Sequence, residues 1–251
     1  MSGHSKWSQI KRQKGVADSK RGQIFTKLAN AIIVAARSGG TNPDTNFRLR
    51  LSIEEARKNN MPKENIERAI KKAAGGGEGG SILETTYEGY GPGGVAVIIE
   101  AVTDNKMRTT QEIRSVLERS GGSLAGPGSV IWMFERVGQL EVPLEDTLDP
   151  DHVLLAAAEV GGDDVDVEDN IALVYTKPEL MEAVKEGLEG HHLKVQNWEL
   201  TARPNRIIKV TDEKTAVSVI YLVRKLEDLQ DVQKVYSNFD IPDEILQKSS
   251  I

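Results

Sequence analysis

The stretch AAGGGEGGS at residues 73–81 constrains this chain more than any other. Clustered glycines lose too much chain entropy on folding to sit inside a helix or a strand, so the chain divides there. The division is also one of charge. Residues 1–75 carry 16 Lys+Arg and 6 Asp+Glu, a net of +10, whereas residues 76–251 carry 16 and 32, a net of −16. The overall charge of −6 conceals this split. Such an asymmetry points to nucleic acid or another anionic surface as the partner of the first part.

The basic block reads as helical. Phe25, Leu28, Ile32 and Ala36 fall on one face of a first helix, which SGG stops. NFRLRLSIEEARKNN gives a second, with Leu49, Ile53 and Ala56 on one side, and MPKENIERAIKKAAGGG a third, with Ile66, Ala69, Ile70 and Ala73 as its stripe. Pro62 suits that helix's first turn. Three narrow stripes can be buried only against one another, which predicts a small helical bundle over residues 1–75. The segment Ser5 to Gly15 has only Trp7 and Ile10 to bury and reads as an arm or a short extra helix.

Beyond the glycines the pattern alternates strand and helix. VAVIIEAVT, residues 95–103, reads as a buried strand. TTQEIRSVLERSGG reads as a helix with Thr109 and Glu112 at capping-box spacing, and SVIWMFER as a further strand. RIIKV, TDEKTAVSVIYLVRKLEDL and VQKVYSNF repeat strand–helix–strand near the end, with Ala216, Val219, Ile220 and Val223 inward. Two such halves predict a split βαβ, ferredoxin-like sheet over residues 81–138 plus 204–251. Residues 139–203 between them read as βαββαβ: QLEVP, a helix capped by Asp149, a hairpin of DDVDVED and IALVYT, a helix capped by Thr176 and Glu179, and KVQNWEL. The expected fold is therefore α+β: a helical bundle at 1–75, a Gly-rich linker at 76–80, and two ferredoxin-like α/β domains, the third inserted in the second.

Little in the chain points to catalysis. Without cysteine there is no disulfide, no thiolate nucleophile and no Cys-type zinc site, which suits a reducing cytosol. No export signal stands out, and the apolar run LANAIIVAA falls short of the about 20 residues a membrane span needs, so no membrane is expected. YEGYGPGG looks like a phosphate loop, but its glycines precede a strand instead of opening a helix, so it reads as a turn-rich lead-in to strand 95–103. His4, His152, His191 and His192 lack metal-ligand spacing. DDVDVED lacks the glycine and terminal glutamate of a calcium loop. The run from Glu145 to Asp169 holds ten acids and no Lys or Arg; it reads as a solvated face that keeps the domain off polyanions or meets a protein partner. No catalytic residue, metal or cofactor is expected.

The binding candidates are cationic. Lys6, Lys11, Arg12, Lys14, Lys20, Arg21 and Lys27 lie between Gly3 and Lys27, against Asp18 alone. Cations that neutralise phosphates release counterions and gain affinity without reading sequence. Trp7 among them can stack on a base, and Arg48 and Arg50 of the second helix complete the set. The plainer alternative is a solvated basic face with Trp7 tucked into the bundle. TDNKMRTT, residues 103–110, offers a second contact. It joins the end of a buried strand to the start of a helix, where free amides beside Asn105, Lys106 and Arg108 can hold a phosphate; an ordinary polar loop is the alternative. These signals do not separate DNA from RNA.

GHSKW, RGQIFTKL, NMPKENIERAI, YEGYGPGG, TDNKMRTTQEIRSVL, GGSLAGPGSVIWMFE and DVQKVYSNFDIP, in order over nearly the whole chain, resemble the YebC family. The resemblance implies a three-domain α/β protein with a helical N-terminal domain. It implies a cytoplasmic bacterial protein, usually described as a probable DNA-binding transcriptional regulator. Animal relatives include a mitochondrial translational activator of cytochrome c oxidase, and some members are linked to ribosomes and to relief of stalling. The alternative function it implies is a ribosome-associated translation factor binding rRNA or tRNA. One departure is Phe47, in NFRLR, where the family usually has proline; it bears on the start of that helix, while Arg48 and Arg50 are retained.

Overall fold

The computed structural model describes residues 21–75, 82–144, 149–168 and 170–248. The glycine linker at 76–80 and the N-terminal arm lie outside the described residues.

Three helices open the described chain: α1 (Arg21–Gly39), α2 (Phe47–Lys58) and α3 (Lys63–Ala74). Their stripes meet as the periodicity requires. Ile32, Ile33, Ala35, Ala36, Leu49, Ile53, Ala56, Ile66 and Ala69 form one buried cluster, with Phe25, Leu28, Ile70 and Ala73 packed against it. The start of α2 is held by Asn46. Its Oδ1 accepts from the Leu49 amide at 3.0 Å, and its Nδ2 donates to the carbonyls of Ala35 and Gly40 at 2.8 and 2.7 Å. The side chain thus caps α2 and ties it to the end of α1.

The first sheet contains β1 (Leu83–Tyr90), β2 (Ala96–Thr103), β3 (Ser123–Ala125) and β9 (Val232–Ser237), in the order β3-β1-β2-β9. β1 pairs antiparallel with both β2 and β3, and β2 pairs antiparallel with β9. β2 and β3 are therefore parallel with β1 between them, and α4 (Lys106–Arg119) makes the crossover. α7 (Glu213–Glu227) covers the same face, where Ile99, Ile113, Leu117, Ala216, Ile220 and Val223 are buried together. The strand order is ferredoxin-like, but the strand that would ordinarily precede the second helix comes first in the chain.

The second sheet has the order β5-β6-β4-β7, built from β4 (Phe134–Pro143), β5 (Asp164–Glu168), β6 (Ile171–Thr176) and β7 (Asn197–Pro204). With α5 (Pro150–Val160) and α6 (Met181–Gly190) on one face, this is the βαββαβ arrangement expected. Asp149 caps α5 by accepting from the Asp151 amide at 3.0 Å. A ladder of two residues a strand, β8 (Ile208–Lys209) with β10 (Phe239–Asp240), and α8 (Asp243–Lys248) complete the chain. The two sheets join where Ala96, Ile98 and Tyr236 of the first pack against Val130, Ala202, Met133 and Phe134.

Several local expectations need correction. In YEGYGPGG, Tyr87–Tyr90 belongs to β1; only Gly91–Gly94 turns, and Gly93 and Gly94 adopt φ of 69° and 75°, which L side chains avoid. SVIWMFER is not one strand. Ser129 and Val130 lie in a turn, Ile131–Met133 form a 3-10 turn, and β4 begins at Phe134 and runs on through QLEVP, across residues 138 and 139. The cap of α4 is Asn105, not Thr109, which is buried. RIIKV supplies only the two residues of β8, which pair with β10 outside the four-stranded sheet. Thr176 does not cap α6; its hydroxyl donates to the Gly161 carbonyl at 3.0 Å, and a 3-10 turn at Pro178–Leu180 leads into the helix.

Candidate nucleic-acid interface

Of the residues singled out in the sequence, Lys6, Trp7, Lys11, Arg12, Lys14 and Lys20 lie outside the described residues. Arg21 opens α1, and Lys27 sits one and a half turns further on, where its Nζ donates to the Glu227 carbonyl at the end of α7.

Arg48 and Arg50 are engaged within the protein. Arg48 forms a two-pronged pair with Glu84 of β1. The Arg50 guanidinium donates to both carboxylate oxygens of Glu182 on α6, each at 2.8 Å, and lies over the Phe47 ring, 5.6 Å from its centroid. Phe47 meets Trp198 of β7 edge-on, with centroids 5.5 Å apart. Trp198 Nε1 donates to Glu54 at 2.8 Å, and Lys58 Nζ donates to Asn197 Oδ1. α2 thus starts with a ring that joins it to the second sheet. α2 spans the junction between the bundle and both sheets.

The exposed cations lie elsewhere. Ile66 and Ala69 turn α3 inward, which leaves Arg68, Lys71 and Lys72 exposed on the opposite side at i, i+3, i+4 spacing. None of the three makes an ion pair among the described residues, whereas Lys63 approaches Glu67 at 3.6 Å. Arg37 at the end of α1 and Arg57 on α2 are also exposed. These five were not among the sequence candidates. The signal was present in IERAIKK: once Ile66, Ala69 and Ile70 are placed inward, the cations must face out.

The loop at 103–110 is tightly organised. Asn105 Oδ1 accepts from the Arg108 amide at 3.1 Å and so caps α4. Asp231, buried at the head of β9, accepts from the Thr103 and Thr109 hydroxyls at 3.0 and 2.6 Å and from Arg108 at 2.7 Å. Burial pushes its carboxyl up, but the bonds from Thr109, Arg108 and Thr103 and the positive charge of Arg108 outweigh that, so its pKa lies below the ordinary range. Arg108 also reaches Asp104 at 3.0 Å. Of the two cations here, Arg108 serves the fold, while Lys106 is exposed and makes no ion pair among the described residues.

A second loop was missed because it was read as strand. The buried Glu88 carboxylate accepts from the amides of Gly128, Val130 and Ile131 at 2.6, 2.7 and 2.9 Å. Burial pushes this carboxyl up too, and the amides outweigh it and hold it low. The braced loop presents Ile131 and Trp132 outward, with Trp132 63% exposed.

Among the described residues no group of three or more His, Asp or Glu could hold a metal ion, and no helix is long and apolar enough to cross a membrane. Comparison with known proteins decides the family. Residues 5–76 match the TACO1/YebC protein N-terminal domain, and residues 82–239 match the TACO1/YebC second and third domain. The chain belongs to the TACO1/YebC family. A relative from Aquifex aeolicus (strain VF5), named probable transcriptional regulatory protein, is 49% identical over 248 residues, covering 99% of both chains. One from Halothermothrix orenii with the same name is 49% identical over 249 residues, covering 99% of this chain and 98% of the relative. A crystal structure described as a conserved hypothetical protein from Aquifex aeolicus superposes with a TM-score of 0.82 at 49% identity, over 92% of this chain and 94% of that one. The relatives named here are described as probable transcriptional regulatory proteins. The helical bundle followed by sheet domains is the YebC fold expected from the sequence.

Proposed function

We propose that this protein is a nucleic-acid-binding regulator of gene expression, without a catalytic step, and that it acts in the cytoplasm on duplex DNA as a transcriptional regulator. The observation that carries this reading is the charge split of +10 over residues 1–75 against −16 over the remainder. Its binding surface is the N-terminal basic stretch together with Arg37, Arg57, Arg68, Lys71 and Lys72, and Lys106 is a second contact. Arg48 and Arg50 hold the basic domain in place instead of touching phosphate. Such contacts position a polyanion without reading bases, so sequence preference would come from duplex shape or from a protein partner on the acidic domains. The names of the relatives support regulation of transcription.

In-cell crosslinking followed by sequencing of the attached DNA and RNA tests the reading. Enrichment of discrete DNA sites supports it. Recovery of rRNA or tRNA alone rejects DNA as the target and leaves the translation-factor alternative in its place.

A further inference from the structure

Two loops meet beside the first sheet, and a buried polar side chain pins each of them. Glu88 holds residues 128–131 through three amides. Asn238, fully buried after β9, holds residues 206–208. Its Nδ2 donates to the Arg206 carbonyl at 3.0 Å, its own carbonyl accepts from the Ile208 amide at 2.7 Å, and its Oδ1 accepts from the Ala96 amide of β2 at 2.8 Å. The loops are neighbours because β4 and β7 pair at Phe134↔Pro204, and the Asn205 amide carries the ladder on to the Met133 carbonyl at 2.8 Å. Residues 131–132 and 206–207 therefore leave the ladder side by side.

Together these loops present an aromatic ring beside cations. The indole of Trp132 is largely exposed, and its Nε1 donates to the Ser129 carbonyl at 3.0 Å. That bond fixes the ring and uses its one donor, so the π surface is what remains. Among the described residues no ring or cation lies over it. Ile131 and Ile207 are exposed next to it. Arg206 and Lys209 are exposed as well and make no ion pair among the described residues. ARPNRIIK, residues 202–209, holds three cations and no acid, in a part of the chain with 16 Lys+Arg against 32 Asp+Glu. Arg203, the third cation, is taken up by Asp164 and Asp166.

We propose that Trp132 is a stacking platform for an unpaired nucleobase, and that Arg206 and Lys209 take the phosphates of the same strand. The proposal rests on the nucleic-acid reading above and goes beyond it, because the cations of the bundle meet backbone alone whereas this site meets a base. A closed duplex keeps its base faces against one another, so a ring on a fixed loop takes a base only from an unpaired stretch. Every base has a π face, and the indole has no donor left to read an edge, so the site senses the presence of a base and not its identity. A ring already held in place loses little freedom on binding. The unpaired cations beside it favour a polyanion over an apolar protein segment as the occupant.

Three probes test this on the full chain: a strand of twelve thymidine nucleotides, a strand of equal length and charge without bases, and a duplex DNA. Trp132→Ala should weaken the thymidine strand about 5- to 150-fold, the usual contribution of one stacked base, and leave the strand without bases and the duplex unchanged. Trp132→Phe should recover most of the loss. Phenylalanine keeps a stacking face but lacks the bond to Ser129, so recovery separates stacking from upkeep of the loop. Arg206→Ala/Lys209→Ala should lower the salt slope on the thymidine strand by about 1.4, at about 0.7 for each single-strand phosphate. No loss in Trp132→Ala, an equal loss on the strand without bases, or no recovery with phenylalanine overturns the stacking, and an unchanged slope overturns the phosphate contacts. Binding of the duplex alone defeats this inference and spares the proposed function. Binding of the thymidine strand alone, lost in Trp132→Ala, does the reverse for duplex DNA as the target. Failure of all three probes to bind defeats both.

Discussion

α2 and α3 are both twelve residues long, and each carries four cations and two acids. Their uses are opposite. Arg48, Arg50 and Lys58 of α2 engage Glu84, Glu182 and Asn197 across the junction with the sheets, and Glu54 holds Trp198. Among the described residues, only Lys63 of the α3 cations has an acidic partner, and that is Glu67 on the same helix. Charge content therefore does not tell a face of exposed cations from a structural joint. The difference lies in where the apolar stripe points. Leu49, Ile53 and Ala56 turn Arg48 and Arg50 toward the sheets, whereas Ile66 and Ala69 turn Arg68, Lys71 and Lys72 to solvent.

The largest expected effect separates the two helices directly. Each phosphate contact contributes a slope near 0.9 in log K against log salt. Arg68→Glu/Lys71→Glu/Lys72→Glu should therefore lower the slope by about three and weaken duplex binding at 0.1 M salt by roughly two to three decades. Arg48→Ala/Arg50→Ala should leave the slope within about half a unit of the original. Titrations of both variants at four salt concentrations check this. The reverse ranking would mean that α2 releases its carboxylates to bind, and the comparison would fail.

The same contrast occurs within three residues of the 103–110 loop. Lys106→Ala should lower the salt slope by about one and leave stability unchanged. Arg108→Ala should lower stability, because it removes a charged partner from the buried Asp231. The acid limb carries the sign. The Asp231 pKa is lowered in the folded protein, so its contribution is present above the ordinary aspartate range and disappears as pH falls through the folded value. Without Arg108 the folded value rises, so the acid loss of stability should begin at higher pH. Unfolding midpoints measured between pH 3 and 7 give the answer; coincident acid limbs would remove Arg108 from the network.

What was legible in the sequence, and what was not, follows the range of the interactions. The stripes of α1, α2 and α3 repeat at helical spacing and need no distant information. The alternation of β5 and the apolar run of β6 fix their hairpin in the same way. β1 was invisible because LETTYEGY is polar; it becomes a strand only by pairing with the apolar β2 over Leu83↔Thr103 to Tyr90↔Ala96. Ser129–Met133 looked like a strand because an apolar run alone does not distinguish strand from loop, and the Glu88 that bends it lies some forty residues upstream. Thr109 looked like a cap because its hydroxyl has the right chemistry, but that hydroxyl reaches Asp231, 122 residues away. The cations of α2 looked available for the same reason: Glu182 is 132 residues from Arg50.

The smallest effect concerns the joint itself. Arg50 and Glu182 are bidentate but partly exposed, at 28% and 47% of their side chains. Solvent screens such a pair, so its worth falls well below that of a buried one. A double-mutant cycle with Arg50→Ala and Glu182→Ala should give a coupling of about 0.5–1 kcal/mol, reduced by half or more in 1 M salt. The Lys63–Glu67 pair on α3, at 3.6 Å and more exposed, should give no more than about 0.3–0.5 kcal/mol. Phe47→Pro refines the measurement. Proline is favoured at the first position of a helix, so α2 keeps its start, but the edge contact with Trp198, worth about 0.5–1.5 kcal/mol, is lost. Arg50 also loses the ring beneath it. If ring and ion pair hold the joint together, the Arg50–Glu182 coupling should shrink in the Phe47→Pro background, and amide exchange in α2 should quicken more than in α3. A coupling unchanged by proline would show the two contacts acting independently, and the joint would then rest on Glu54, Lys58 and Arg48 instead.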